Sequence, residues 1–279
     1  MYNFNLLKEY IHGDRFRSVS DVVIDGEPTY EQAEFILNND CIIFCKTDYI
    51  FMLFEIIIES KFKYVLITHN SDFGIDARYY DVKPESVMYW FALNVAIKRP
   101  NLIPLPSGME RPLGGGYSSD VTVLTEQWKT RRETKNLVYM NHNANNNHDE
   151  RDYVTELLKD KPWVTWRPHG VSFKDYISNV YNHCFVISPQ GNGIDCHRTW
   201  ETLYMGSIPI VKRSHLTEFF SALPILIVED WSVITEELLS IVYDEIKSRD
   251  YDYSKLTLSF WEKEILIAKD LLNDGGQND

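Results

Sequence analysis

Cysteine is scarce in this 279-residue chain, with four residues at positions 41, 45, 184 and 196, and no two of them form a Cys-x-x-Cys pair. That excludes a disulfide scaffold and a cysteine-built zinc site, and it suits a reducing interior. Positive charge is also in deficit: 28 Lys and Arg against 41 Asp and Glu leave a net charge of −13. A chain of that sign does not coat nucleic acid or an anionic membrane, so an anionic ligand has to be held by a local cluster. Long apolar runs are missing. The most apolar stretch, 49–58, is too short to span a bilayer and carries Glu55. The first twenty residues are polar, with no signal-peptide core. A soluble cytoplasmic protein without membrane partners is the expectation. His-Glu-x-x-His, Gly-x-Ser-x-Gly and Walker patterns are absent, which disfavours zinc proteases, serine hydrolases and P-loop NTPases.

What is present is ordinary globular composition, 44% hydrophobic and 25% charged, with short β-branched runs alternating with longer amphipathic segments. The pattern predicts an α/β fold. In the first part it predicts strands over 21–24, 41–46, 64–68 and 102–106, with helices over 29–37, 49–60 and 84–97, Pro84 suiting a first helical turn. Residues 110–120, with Pro112 and Gly114 to Gly116, support neither helix nor strand, so a boundary is placed there, between a domain of residues 1–115 and another of 116–279. Strands are then expected over 136–140, 164–166, 184–188, 208–211 and 225–228. Helices are expected over 150–158, 173–181 and 196–205, and two long ones over 233–247 and 258–272, with a crossing back to the first domain as one option for them.

The most informative stretch is Cys184 to Val211, CFVISPQGNGIDCHRTWETLYMGSIPIV. An apolar strand runs through Pro189 into the turn Gln190-Gly191-Asn192-Gly193 and then into a helix. Two glycines let backbone approach a ligand, and a helix N-terminus offers N–H groups to an anion. Arg198 and Glu201, three apart, share a helix face. A guanidinium for a diphosphate and a carboxylate for ribose hydroxyls would make a nucleotide-sugar site. A helix capped by Asp195 with a surface Arg198–Glu201 ion pair reads the same spacing equally well.

Pro189, Gly191, Arg198, Glu201, Gly206, Ile208, Pro209 and Val211 stand in the order and spacing of the nucleotide-sugar signature of exostosin-like glycosyltransferases, which this segment resembles; Ser207 stands where cysteine is common. The resemblance implies a GT-B architecture, two Rossmann-like domains facing across a cleft with the donor in the C-terminal one. It implies an inverting glycosyltransferase that moves a monosaccharide from a nucleotide-diphosphate sugar, a uridine one, to a hydroxyl of a glycan. The rivals are the same chemistry on a hydroxylated base of DNA, and a non-catalytic sugar-nucleotide or glycan-binding module.

Other strand ends add candidates. Asn141 and Asn143, with Arg151 on the following helix, are placed to join the donor site, unless the asparagines merely form a turn and Arg151 faces solvent. His169, after the next strand, is given a binding role at the base or sugar. In the first domain the strand 64–68 leads into His69-Asn70-Ser71-Asp72. Asp72 or His69 is the candidate general base, an Asx-turn being the plain alternative for Asp72. Asp48 is a reserve on the acceptor side, with a structural use as a helix cap, and Glu110 is another. Asp250-Tyr251-Asp252 spells a metal motif, but in a charged turn after a helix, so no metal and no obligatory cofactor is expected. Finally, residues 98–135 carry seven basic and four acidic residues, a net +3; they read as a solvated hinge before they read as a phosphate-binding rim.

Overall fold

The computed structural model describes residues 5–110, 120–134 and 136–274. Among the described residues ten strands alternate with helices: β1 (Val22–Ile24), β2 (Cys41–Lys46), β3 (Tyr64–His69), β4 (Val87–Ala92), β5 (Leu102–Pro104), β6 (Asn136–Met140), β7 (Val164–Trp166), β8 (His183–Ile187), β9 (Ile208–Lys212) and β10 (Leu226–Val228). The helices up to the midpoint are α1 (Leu6–Glu9), α2 (Tyr30–Ile36), α3 (Ile50–Ile57), α4 (Ala77–Tyr80) and α5 (Val121–Trp128). Those after it are α6 (His148–Leu158), α7 (Phe173–Tyr181), α8 (His197–Tyr204), α9 (His215–Phe219), α10 (Glu236–Ser248) and α11 (Leu258–Asp274). Among the described residues no helix is long and apolar enough to cross a membrane.

The chain groups into two compact units, one of Ile11–Ser107 with Thr257–Asp279, the other of Gly108–Leu256 with Met1–Tyr10. The expected boundary after residue 115, and Arg111 with it, falls within residues 111–119, outside the described residues.

The first unit is built on a five-stranded parallel sheet in the order β1-β2-β3-β4-β5. Side chains alternate between the faces of a sheet. Cys41, Ile43, Cys45, Leu66 and Trp90 therefore join Ile50, Leu53, Phe54 and Ile57 of α3 in one core. The other pleat buries Ile42, Phe44, Val65, Ile67 and Phe91, on the side where α11 packs against β3 and β4. That helix buries Trp261, Ile265, Ala268 and Leu272, and its Lys269 hydrogen-bonds the Asp40 carbonyl. The last helix of the chain thus completes its first unit.

One expected element is corrected. Residues 84–97 do not form a helix: Val87 N–H bonds the Pro84 carbonyl at 3.0 Å in a turn, and β4 follows. The segment Val87–Ala92 pairs with strands on both sides and is buried apart from exposed Met88 and half-buried Tyr89, and its residues are apolar or aromatic on both faces, so it lacks the polar alternation that betrays a half-buried strand. Trp90 donates its indole N–H to Thr68 Oγ1 at 2.8 Å, and Asn94 leaves the strand with φ 55°. The strand expected over 102–106 stops at Pro104.

The second unit holds another five-stranded parallel sheet, in the order β10-β9-β8-β6-β7. Phe185, Ile187, Ile208 and Ile210 of β8 and β9 pack with Val138 and Met140 of β6 and with Val154 and Leu158 of α6. From β6 the chain steps outward to β7, returns past β6 to β8, and then winds the other way to β9 and β10. The direction of winding therefore reverses between β6 and β8, the position where open α/β sheets form a ligand crevice beyond the carboxyl ends of their strands.

Candidate functional site

The loops beyond this reversal are residues 141–147 after β6 and 188–196 after β8. Arg151, in the second turn of α6, ties them together. Its Nε donates to the Gln190 carbonyl at 2.8 Å and its Nη1 to the Asn143 carbonyl at 2.6 Å. It is only 4% exposed, which removes the solvent-facing alternative. A Cβ on Gly191 would stand 2.9 Å from Arg151 Nη2, so the missing side chain at 191 is what lets the loop close over the guanidinium. Gly191 N–H bonds the Gly193 carbonyl at 3.1 Å, closing the turn, while Asn192 is exposed at its tip.

Arg198 comes from the first turn of α8 and sits close enough to Arg151 for each charge to feel the other. Burial, then the Arg198 charge, pushes the Arg151 guanidinium down to about 10. Arg198 Nε is buried with no hydrogen-bond partner. Nearby, burial followed by the charges of Arg198 and Arg151 pushes His142 down to about 3, so its imidazole is neutral. His142 Nε2 lies 2.8 Å from Thr155 Oγ1 and 3.2 Å from the Arg151 carbonyl, while its Nδ1 is buried and unpartnered. The Tyr139 hydroxyl, also buried, unpartnered and felt by Arg198, has its ionisation pushed far up by burial. Two cations held together in a half-buried site beside orphaned polar atoms are costly unless an anion joins them.

Glu201 stands differently from either sequence reading. It is 6% exposed, and its Oε2 accepts a hydrogen bond of 2.9 Å from the hydroxyl of buried Tyr176 on α7. The surface ion pair with Arg198 is not formed. Asp195 is not the cap of α8 either: Cys196 holds that position. Asp195 instead accepts from Cys196 N–H at 2.8 Å and from Trp200 Nε1 at 2.7 Å, pinning the start of the helix.

Asn141 is buried and ties down the loop after β7, donating to the carbonyls of Arg167 and Pro168 at 3.0 and 2.9 Å. Asn143 adds an Oδ1 acceptor for Asn145 N–H to its carbonyl bond with Arg151. His169 is exposed beyond β7. Of the expected donor residues, the structure gathers Arg151, Arg198, Asn143 and the Gly191 turn around one point. His142, Tyr139 and Tyr176 join them and were missed. His142 lies in the Asn-His-Asn string, a signal that was available; Tyr176 is a helix residue with no local signal.

In the first unit His69, Asp72 and Asp48, three of the residues expected on the acceptor side, lie at the carboxyl edge of the sheet. His69 is 2% exposed. Asn70 N–H donates to its Nδ1 at 2.8 Å, which leaves Nε2 as the protonated nitrogen, donating to the Pro106 carbonyl at 3.1 Å. Gly13 lies against this pair: a Cβ there would be 1.8 Å from Asn70 Oδ1 and 2.4 Å from His69 Nδ1. Asp72 is exposed in the turn after β3. Asp48 lies 3.2 Å from Lys46 Nζ; burial raises its ionisation, but hydrogen bonds from Ser71 and Lys46 outweigh this and hold it below the usual range. Glu110 is half-buried and belongs to the other unit.

Asp252 accepts from Ser254 N–H at 2.9 Å, a turn-capping role. Among the described residues no group of three or more His, Cys, Asp and Glu side chains is placed to hold a metal. The four cysteines are free thiols. In the basic stretch, Arg132 binds the neutral oxygens of Gly206, His183 and Ser207, and Arg99 lies over the Tyr80 ring; Arg111 and Lys135 lie outside the described residues.

No family model matches this chain. No curated protein matches it either. Among solved structures it is similar to the GtfA/B complex, with 12% identity over 86% of this chain and a TM-score of 0.42. It is similar to the spinosyn rhamnosyltransferase SpnG, with 11% identity over 84% of this chain and 69% of that one and a TM-score of 0.41. A third is a UDP-GlcNAc 2-epimerase from Methanocaldococcus jannaschii, with 10% identity over 88% of this chain and 84% of that one and a TM-score of 0.41. The chain spans 60% of the length of the first of these.

Proposed function

We propose that this protein is an inverting glycosyltransferase of GT-B architecture that transfers a monosaccharide from a nucleotide-diphosphate sugar, a uridine one, to a hydroxyl of a glycan. The observation that carries the reading is the pairing of Arg151 and Arg198 beyond the reversal of strand order in the second unit, with Arg198 Nε buried and unsatisfied. A diphosphate supplies the missing charge and acceptors, and it is the group that leaves when the sugar is transferred. The residues from Pro189 to Val211 that resemble the exostosin-like signature are the same ones that build this loop and helix.

In this reading the acceptor oxygen attacks the anomeric carbon while a base takes its proton. The bond from that carbon to the diphosphate breaks, and the electron pair leaves with the diphosphate, whose charge Arg198, Arg151 and the N-terminus of α8 receive. Glu201, oriented by Tyr176, accepts from the ribose hydroxyls, and His169 edges the base or sugar. Asp72 is the assigned base, since both ring nitrogens of His69 are engaged within the fold. No metal is assigned a part.

The test is a panel of nucleotide sugars assayed for nucleotide release with candidate acceptors added one at a time. Release of the nucleotide that depends on an acceptor supports transfer. Nucleotide binding without release under any pairing would make the chain a binding module. Turnover on hydroxylated DNA that falls steeply with salt would move the acceptor to nucleic acid.

A further inference from the structure

At the opposite edge of the second unit's sheet, where β9 begins, lies a pocket of about 490 Å³. The five residues of β9 separate it from the carboxyl edge by about 15 Å, so it is not part of the site around Arg198. Its volume is in the range of small-molecule sites, which run from about 300 to 1,000 Å³. Three cations line it, Arg132, Lys247 and Arg249, and none of its lining residues is an Asp or Glu. In a chain of net charge −13 that is a marked local reversal.

Two of these cations, Arg132 and Lys247, are held by neutral oxygens and by no acid, and the third has one distant ion pair. Arg132 Nη1 and Lys247 Nζ both donate to one neutral acceptor, the Gly206 carbonyl, at 3.1 and 3.0 Å. Arg249 reaches Glu245 only at 3.7 Å. Burial, then repulsion from Arg132, holds the Lys247 ammonium below its usual range. The rest of the wall is aromatic, with Trp128, Tyr181, Tyr251 and Tyr253. The rings of Tyr251 and Tyr253 are 6.2 Å apart and tilted by 47°. A tilted pair makes no parallel slot for a flat nucleobase. It suits the puckered ring of a sugar, whose polarised C–H groups are attracted to the negative faces of aromatic rings.

We propose that this pocket is a second ligand site, which binds an anionic sugar, a uronate or a sugar phosphate, with its acid group on Arg132, Lys247 and Arg249 and its ring against Tyr251 and Tyr253. Arginine pairs bidentately with carboxylate and phosphate alike, so the two acids share one chemistry. The site does not depend on the transferase reading, since it stands on its own residues.

The experiment is calorimetric titration of the full chain with glucuronate, glucose 6-phosphate, glucose, inorganic phosphate and uridine monophosphate. Either or both sugar acids should bind, with glucose and inorganic phosphate at least tenfold weaker. Arg249 is exposed, and Lys247 is exposed along its stem with only its ammonium end tucked against the Gly206 carbonyl, so Lys247→Glu and Arg249→Glu should each weaken that binding tenfold or more without lowering the melting temperature, and Arg198→Ala should leave it unchanged. The proposal is overturned if neither acid binds at millimolar concentration, if glucose or inorganic phosphate binds as tightly, or if both charge reversals are without effect. Loss of sugar-acid binding in Arg198→Ala would assign the ligand to the other site, and tighter binding of uridine monophosphate that depends on Arg249 would make the ligand a nucleotide.

Discussion

Tyr176 on α7 donates its phenolic hydrogen to Glu201 on α8 at 2.9 Å, and both residues are buried. A carboxylate so placed has lost water and kept a fixed donor, which sets its orientation before any ligand arrives. Tyr176→Phe should therefore lower folding stability by about 1–3 kcal/mol, the range for a buried acceptor deprived of a charge-assisted bond. If Glu201 serves ribose hydroxyls, affinity for uridine diphosphate should fall as well, while affinity for inorganic pyrophosphate stays near wild type. Denaturant titration and calorimetry read the two effects separately, and a loss confined to stability would reduce Glu201 to a structural role.

Arg198 has an unsatisfied Nε beside a second cation, so its removal costs the ligand more than it costs the fold. Arg198→Ala should weaken nucleotide-diphosphate binding by about 1.5–3 kcal/mol. It should leave the fold intact, because a repulsion with Arg151 is relieved. Unchanged affinity in the folded variant would remove the diphosphate from this site.

The neutral His142 makes stability depend on pH. Unfolded, it takes up a proton as pH falls through 6.5; folded, burial and the two arginine charges delay this to about 3. Between these values the unfolded state holds the extra proton, so stability is full above pH 6.5 and is lost progressively as pH falls toward 3. Denaturation midpoints measured from pH 7.5 to 4 should show this fall, and His142→Gln should flatten it. Because Asp152 is the acid whose charge acts in the opposite direction, Asp152→Asn should leave the fall in place.

Transfer with inversion needs one group to take the acceptor proton, a contribution of roughly 10²- to 10⁴-fold in rate. Asp72→Asn should lower kcat by that order with nucleotide affinity near wild type, since Arg198 and Arg151 belong to the other unit. Single-turnover rates alongside binding isotherms test this. A full-rate variant would pass the role to Asp48 or Glu110.

Turnover should survive a chelator, the departing diphosphate being received by arginines and helix N–H groups. Initial rates with and without a chelator, followed by manganese addition, check it; abolition by the chelator and rescue by manganese would count against the assignment of the leaving group to Arg151 and Arg198.

Much of this was legible from residue order alone, because it rests on local rules. The strands Cys41–Lys46, Asn136–Met140 and Val164–Trp166 and the helix Phe173–Tyr181 lie where apolar runs and periodicity place them. The Gly191 turn between β8 and α8 is likewise a local feature, as is the candidacy of Arg151 and Arg198. Other features depend on pairings between distant residues, which local pattern does not encode. Val87–Ala92 is a strand because neighbours flank it on both sides. Helix α11 covers the sheet of the first unit because that face otherwise exposes Ile42, Phe44, Val65 and Ile67. Glu201 accepts from Tyr176, twenty-five residues earlier, and forms no ion pair with Arg198, three residues away, because packing α7 beside α8 buries the carboxylate against that hydroxyl. Sequence determined which side chains are candidates for the chemistry; the tertiary fold decided which of them meet, since burial selects partners by proximity in space and removes the water that would have served any of them.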